Sequence, residues 1–107
     1  MPPQFRLPQQ LAQVYGSHVG FNFTSTQNAS EVAVTIPTSM EEANRVSFIV
    51  ENFDAYVDFD TTATTSSMIV RAGTGYSEEG IYIGTNITIR PVTSNEFPTI
   101  IGICWGR

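Results

Sequence analysis

The chain contains no lysine and, among its 107 residues, only one histidine (His18) and one cysteine (Cys104). A single cysteine excludes an intrachain disulfide, and one histidine plus one cysteine are too few ligands for an ordinary structural zinc site. The five basic residues are all arginine, and the chain contains twice as many acidic residues, ten. Because binding to a phosphate backbone needs a basic patch, we expect no nucleic-acid partner.

Long apolar runs are also missing. No stretch approaches the roughly 18 consecutive apolar residues of a membrane-spanning helix, so we expect no membrane partner. The first ten residues, "MPPQFRLPQQ", contain no apolar core of a secretory signal. A chain of this length is expected to fold around one modest core, and the sparse charge, 14% of residues, is compatible with a small globular domain.

The abundant residues favour β-strands. Valine, isoleucine and threonine are frequent, whereas leucine occurs only at Leu7 and Leu11. Apolar residues alternate with polar ones in short segments, and the alternation predicts strands within 17–30, 30–37, 45–51, 54–60, 67–73, 81–91 and 99–106. We expect a helical turn at 38–44 and loops at 61–67, 73–80 and 92–98. The fold class predicted is all-β: an antiparallel β-sandwich, jelly-roll-like or a barrel, of seven or eight short strands.

The domain organisation follows from the prolines. Residues 1–15 hold three of the six prolines and predict an extended N-terminal arm, and residues 16–107 predict a single β-sandwich domain. The arm carries apolar side chains that have no obvious local core. We predict that these side chains, together with two aromatic surface residues, bind a partner or a neighbouring subunit: Phe5, Leu7, Leu11, Tyr15, Tyr56 and Trp105.

Residues 45–60 predict a hairpin. The apolar residues of 45–51 and those of 54–60 lie on matching sides if the chain turns at Asn52 and Phe53. That register pairs Phe48 with Val57 on the core face, and it pairs Arg45 with Asp60 on the other face.

The stretch "ENFDAYVDFDTTATTSS", residues 51–67, contains three aspartates of one parity, Asp54, Asp58 and Asp60. Their spacing puts them on one face of one strand, with Tyr56 between them. The pattern lacks the glycine-containing loop of a calcium site, and we predict no metal and no cofactor. We interpret the carboxylates as solvated or partner-facing. A calcium ion held by Asp60 and the carbonyls of loop 61–65 is the alternative, and a glycosidase pair is the least favoured interpretation.

Residues 43–73, "ANRVSFIVENFDAYVDFDTTATTSSMIVRAG", combine four pieces in order. A strand "RVSFIVEN" precedes a second strand "AYVDFD"; a Thr/Ser/Ala run "TTATTSSM" follows, and a short strand ends in "VRAG". This order resembles small β-sandwich virion proteins of tailed bacteriophages, of the capsid decoration (cement) type. The resemblance covers about a third of the chain, and the sequence departs from it after Gly73.

The resemblance implies a non-enzymatic phage structural protein that bridges and stabilises capsid subunits. Its partners would be the major capsid protein and copies of itself, as a homotrimer, and it would be assembled onto the virion in the bacterial cytoplasm. Two alternatives stay open. One is a tail or head–tail connector component; the other is a carbohydrate-binding β-sandwich that recognises host glycans through Trp105, Tyr56 or Tyr76.

Overall fold

A computed structural model describes residues 17–26, 32–36 and 40–107. These ranges contain eight strands and no helix, arranged as two four-stranded antiparallel sheets. The predicted β-sandwich is therefore confirmed. The predicted arm, residues 1–15, lies outside the described residues. No helix long and apolar enough to span a membrane occurs in the described ranges.

Sheet A has the strand order β1-β8-β3-β6, and sheet B has the order β2-β7-β4-β5. The strands of sheet A are β1 (Ser17–Thr24), β8 (Thr99–Gly106), β3 (Ala43–Glu51) and β6 (Gly75–Ile83). Those of sheet B are β2 (Val32–Thr35), β7 (Asn86–Pro91), β4 (Ala55–Phe59) and β5 (Met68–Val70). Each sheet thus has two central strands and two edge strands.

The core lies between the sheets and is built from alternate residues of the strands. Val46, Phe48 and Val50 of β3 are buried, and Ala55 and Val57 of β4 are buried opposite them. Aliphatic side chains of the central strands complete this layer, among them Ile87, Ile89 and Ile100. β-Branched side chains suit a pleated surface buried on one side, so the composition and the architecture agree.

The predicted hairpin between residues 45–51 and 54–60 is wrong. β3 pairs with β8 and β6 in sheet A, whereas β4 pairs with β5 and β7 in sheet B. The turn at Asn52, whose φ is 75°, carries the chain from one sheet to the other. The alternation of apolar and polar residues specifies which face of a strand is buried. It does not specify the sheet to which the strand belongs, because strands of both sheets bury a face against the same core. The burial pattern was therefore predicted correctly and the pairing was not.

The predicted loop at 73–80 is also wrong, because β6 begins at Gly75. A Cβ added at Gly75 would lie 2.8 Å from the carbonyl oxygen of Phe48, so this glycine permits a close strand approach. Gly80 has a φ of 78° where the β3–β6 register shifts, as in a β-bulge. Two glycines that indicated a loop are thus parts of an edge strand.

Part of the predicted helical turn at 38–44 can be compared with the structure. Residues 37–39 lie outside the described residues, whereas Met40 is buried and Ala43 begins β3. The described part of this stretch is therefore not helical. Its backbone instead meets the chain end, since Glu41 and Glu42 donate N–H bonds to the carbonyl of Arg107.

Gly102 of β8 faces the core, between two phenylalanines. Gly102 pairs with Phe21 on one side and with Phe48 on the other. A Cβ added at Gly102 would lie 2.5 Å from the Cβ of Phe48 and would also overlap the carbonyl oxygen of Ser47. The glycines on this side of β8 predict that something packs closely there. In the structure, Ser47 and Phe48 of β3 make this close contact.

We predict that Gly102→Ala destabilises the protein by about 1–3 kcal/mol, because the added methyl group overpacks the centre of sheet A. Gly20→Ala is the matched control, since its Cβ would meet only the carbonyl oxygen of Gly102 at an ordinary 3.6 Å. Urea unfolding monitored by tryptophan fluorescence measures both variants. Equal stability of the two variants would contradict the close packing described for Gly102.

Candidate functional site

The outer face of sheet A carries an apolar stripe along its two central strands. We define the apolar stripe as Ile49, Ile101, Ile103 and Trp105. Ile49 is 39% exposed, and Ile101 and Ile103 are half-buried. The outer face of a solvated antiparallel sheet is normally polar, so the apolar stripe makes this face a candidate binding surface.

Polar and small residues border the stripe on both edge strands. Asn22 and Gly20 of β1 are exposed beside Ile101 and Ile103, and Ser77 of β6 is exposed on the opposite side. An apolar centre with a polar rim is the usual anatomy of a protein–protein contact.

Trp105 lies at one end of the stripe and is only 4% exposed, although it does not belong to the core cluster. The guanidinium carbon of Arg45 is 5.3 Å from the centre of the indole ring, a cation–π distance. Trp105 Nε1 and Arg45 Nε are buried, and neither has a hydrogen-bond partner among the described residues. Arg45 therefore covers the indole ring, and little of Trp105 is accessible to a partner.

The predicted hairpin register paired Arg45 with Asp60, but the structure does not contain this pair. Arg45 Nη1 lies 3.3 Å from Oε1 of Glu79, the residue that neighbours Arg45 on β6. The Arg45 side chain is mostly shielded and the Glu79 side chain is mostly exposed. The ion pair therefore sits at the rim of the stripe and holds the guanidinium over Trp105.

Asp54 and Asp58 each tie a different loop to β4. Asp54 accepts hydrogen bonds of 2.8 Å from the backbone N–H of Ala72 and from Nη1 of Arg71. Both donors lower the pKa of Asp54, the amide bond contributing more than the guanidinium. Asp58 accepts from the hydroxyl of Ser67 at 2.9 Å and thereby holds loop 61–67.

Asp60 holds the turn between β6 and β7. It accepts backbone N–H bonds from Gly84, Thr85 and Asn86, at 2.6, 2.7 and 3.0 Å. Burial raises the pKa of Asp60, but the three amide donors outweigh it and the net pKa lies below its usual value. The sequence predicts that the aspartates are solvated or partner-facing. The structure adds that each of them also accepts a hydrogen bond from a loop, while Asp60 stays exposed.

The same contacts bear on the calcium alternative. The described residues contain no group of three or more His, Cys, Asp or Glu side chains that could hold a metal ion. The carbonyl of Thr61, one of the proposed loop ligands, accepts a 2.6 Å hydrogen bond from the hydroxyl of Thr88. Asp60 and this carbonyl therefore already have protein partners.

The aromatic residues proposed for glycan binding do not form one platform. Trp105 lies on the outer face of sheet A, and Tyr56 lies half-buried on the outer face of sheet B beside Ile69. Tyr76 packs toward the core, with its ring centre 5.5 Å from that of Phe48. Burial and the nearby Glu78 carboxylate raise the pKa of Tyr76. A sugar ring could not contact all three side chains.

Cys104 is buried in the core, and burial raises the pKa of its thiol to about 11. The sequence predicted a buried small apolar residue at this position, and that prediction is confirmed.

The structure covers only part of the predicted set of partner-binding residues. Phe5, Leu7, Leu11 and Tyr15 lie outside the described residues. Tyr56 and Trp105 are placed on opposite faces of the sandwich, and Trp105 is buried rather than exposed. That these residues bind a partner stays a prediction. Sequence reasoning missed Ile49, Arg45 and Glu79, which only the β8–β3–β6 pairing brings to the stripe.

No protein-family model, no curated protein and no solved structure matches this chain. The likeness to phage virion proteins therefore rests on residues 43–73 alone.

We predict that Asp60→Asn destabilises the protein by about 1–2 kcal/mol at neutral pH, because the amide replaces a charged acceptor of three N–H bonds. A folded-state pKa below the unfolded value means that the carboxylate contributes stability above the unfolded pKa, near 4, and loses it as the pH falls through the folded pKa. The difference between wild type and variant should therefore shrink from pH 7 to about pH 3 in thermal melts.

The control for this experiment is Glu96→Gln, the same carboxylate-to-amide change in an exposed loop. It should leave the melting temperature nearly unchanged at both pH values. A gap between wild type and Asp60→Asn that is equally large at both pH values would contradict the assignment to the ionised carboxylate.

Proposed function

We propose that this protein is a non-enzymatic structural protein of a tailed bacteriophage, and that it decorates and stabilises the capsid. The observation that carries the proposal is the apolar stripe on the outer face of sheet A, because it offers binding area rather than a catalytic cleft. The resemblance of residues 43–73 supplies the class of partner, a major capsid protein.

The proposed mechanism uses binding energy alone. One copy lies across the junction between capsid subunits, with the apolar stripe on one subunit and residues 1–15 on a neighbour. A protein that binds the assembled shell and not the separated subunits stabilises the shell by mass action. Self-association, as the homotrimer implied by the resemblance, would multiply these contacts through effective concentration.

The stripe has a chemical preference that follows from its composition. It favours a partner segment that presents apolar side chains to its centre and polar groups to its rim. An exposed strand edge or an extended loop of a capsid subunit has this chemistry. A tail or head–tail connector protein could supply the same surface, so this alternative shares the stripe and differs only in the particle region that is bound.

We expect Ile49→Glu to abolish co-sedimentation with empty capsids, because it places a charge in the contact area of the stripe. Ile69→Glu is the matched control. Ile69 has nearly the same exposure, 42% against 39%, but it lies on the outer face of sheet B. Circular dichroism should show that both variants are folded. Full occupancy by Ile49→Glu would overturn the assignment of the stripe.

We also expect deletion of residues 2–12 to abolish capsid occupancy while the β-sandwich stays folded. The deletion removes Phe5, Leu7 and Leu11, the apolar side chains predicted to grip a neighbour. Quantitative co-sedimentation across a range of protein concentrations measures the loss. A truncated protein that still saturates capsids would contradict the hypothesis that the N-terminal arm binds a neighbouring subunit, and it would leave the stripe as the sole proposed contact.

The same preparations separate the other classes. Incubation with tails or connectors in place of capsids tests the connector alternative. A glycan array tests the carbohydrate alternative, and specific glycan binding without capsid binding would replace the proposal.

A further inference from the structure

Among the described residues, strand β1 is an open edge of sheet A. Natural sheets blunt their edges with short strands, bulges, prolines or charges, because an open edge pairs with other chains. Among the other three described edges, β2 has four residues, β5 has three, and β6 is interrupted at Gly80. β1 has eight residues in unbroken register with β8, and its sequence SHVGFNFT contains no proline and no Asp, Glu, Lys or Arg.

The described residues close the core incompletely along this same edge. Val19, Phe21 and Phe23 point toward the core but are only half-buried, whereas the core residues of the central strands are fully buried. Between β1 and β2 lies a cavity of about 50 Å³ whose lining is mostly apolar and includes one polar residue, Thr35; the apolar lining residues include Val19, Phe21, Val34, Ile36 and Ile87. An open strand edge and under-packed apolar side chains thus occur together.

We propose that β1 pairs with β1 of a second copy of this chain, antiparallel about a two-fold axis near Phe21. The pairing joins two copies of sheet A into one continuous eight-stranded sheet. The partner is identified by self-complementarity. Val19, Phe21 and Phe23 are evenly spaced about Phe21, so the two-fold axis sets apolar residues opposite apolar residues on the core side.

The opposite face of β1 meets the same requirement. His18, Gly20, Asn22 and Thr24 are exposed there, and none of them carries a carboxylate or a permanent positive charge. Two copies can therefore approach without opposing like charges. In addition, the second copy's Phe23 comes beside Val19 and covers the side of the core that the described residues of one chain leave open.

This pairing is independent of capsid binding. Pairing of β1 predicts a dimer, whereas the resemblance to phage decoration proteins implies a homotrimer. Light scattering distinguishes the two assemblies by their mass. Failure of β1 pairing would leave the apolar stripe untouched, and failure of capsid binding would leave the β1 pair untouched.

The test is Gly20→Lys, which places a charge on each copy near the two-fold axis. A side chain fits at this position, since an added Cβ meets only the Gly102 carbonyl oxygen at 3.6 Å. We expect wild type to have the mass of two chains in multi-angle light scattering and Gly20→Lys to have the mass of one, with a dissociation constant raised about tenfold or more.

Two variants are the controls. Gly20→Ala controls for the added side chain without its charge. Ser77→Lys adds the same charge to the same cross-strand row at the opposite edge, and it should stay dimeric.

Mixing provides a second, independent readout. Gly20→Lys and Gly20→Glu should each be monomeric alone and should form a mixed dimer when combined, because the charges then attract across the axis. In wild type, backbone amides of β1 should gain hydrogen-exchange protection as protein concentration rises. A wild-type monomer at high concentration, or a dimer or trimer that Gly20→Lys leaves intact, would overturn the proposal.

Discussion

The packing of β3 against β8 is the interaction on which the rest of the sandwich depends. These two strands form the centre of sheet A over residues 43–51 and 99–106, and every other strand of that sheet adds to one of them. Gly102 makes the approach of Phe48 possible, and Phe48 in turn packs on Tyr76 of the edge strand β6. The same pairing brings Ile49 beside Ile101 and Arg45 beside Trp105. One ladder therefore builds both the centre of sheet A and the candidate binding surface on its outer side.

The two outer faces of the sandwich differ in how much of their surface is already used. On sheet B, the aspartates of β4 and the flanking positions hold three separate loops, and the buried Thr88 donates to the carbonyl of Thr61. On sheet A, the outer face of the central strands carries three isoleucines and the buried Trp105. The hydrogen bonds of the aspartates stabilise the loops beside sheet B, and the apolar stripe makes the outer face of sheet A the candidate binding surface.

In the proposed role, a protein of this size gains from multiple weak contacts rather than from one deep pocket. The stripe, the N-terminal residues and the β1 edge would each contribute modest area, and linking several modest contacts raises the overall affinity steeply. The β1 edge and the stripe lie on the same sheet, so two paired copies would present two stripes on one continuous surface. This arrangement suits the proposed role of spanning neighbouring subunits of a shell.

The amino-acid sequence by itself determined the fold class, most strand positions and the buried face of each strand, because alternation with a period of two is a local property. It correctly placed Val46, Phe48 and Val57 inside, Cys104 in the core, and a close contact beside the β8 glycines. It could not determine strand partners: whether the turn at Asn52 closes a hairpin or crosses to the other sheet depends on long-range pairing with β8. For the same reason it could not foresee that Asp60 receives three amides from residues 84–86, or that Arg45 stacks on Trp105. Those contacts join residues far apart in the chain, and only the tertiary structure brings them together.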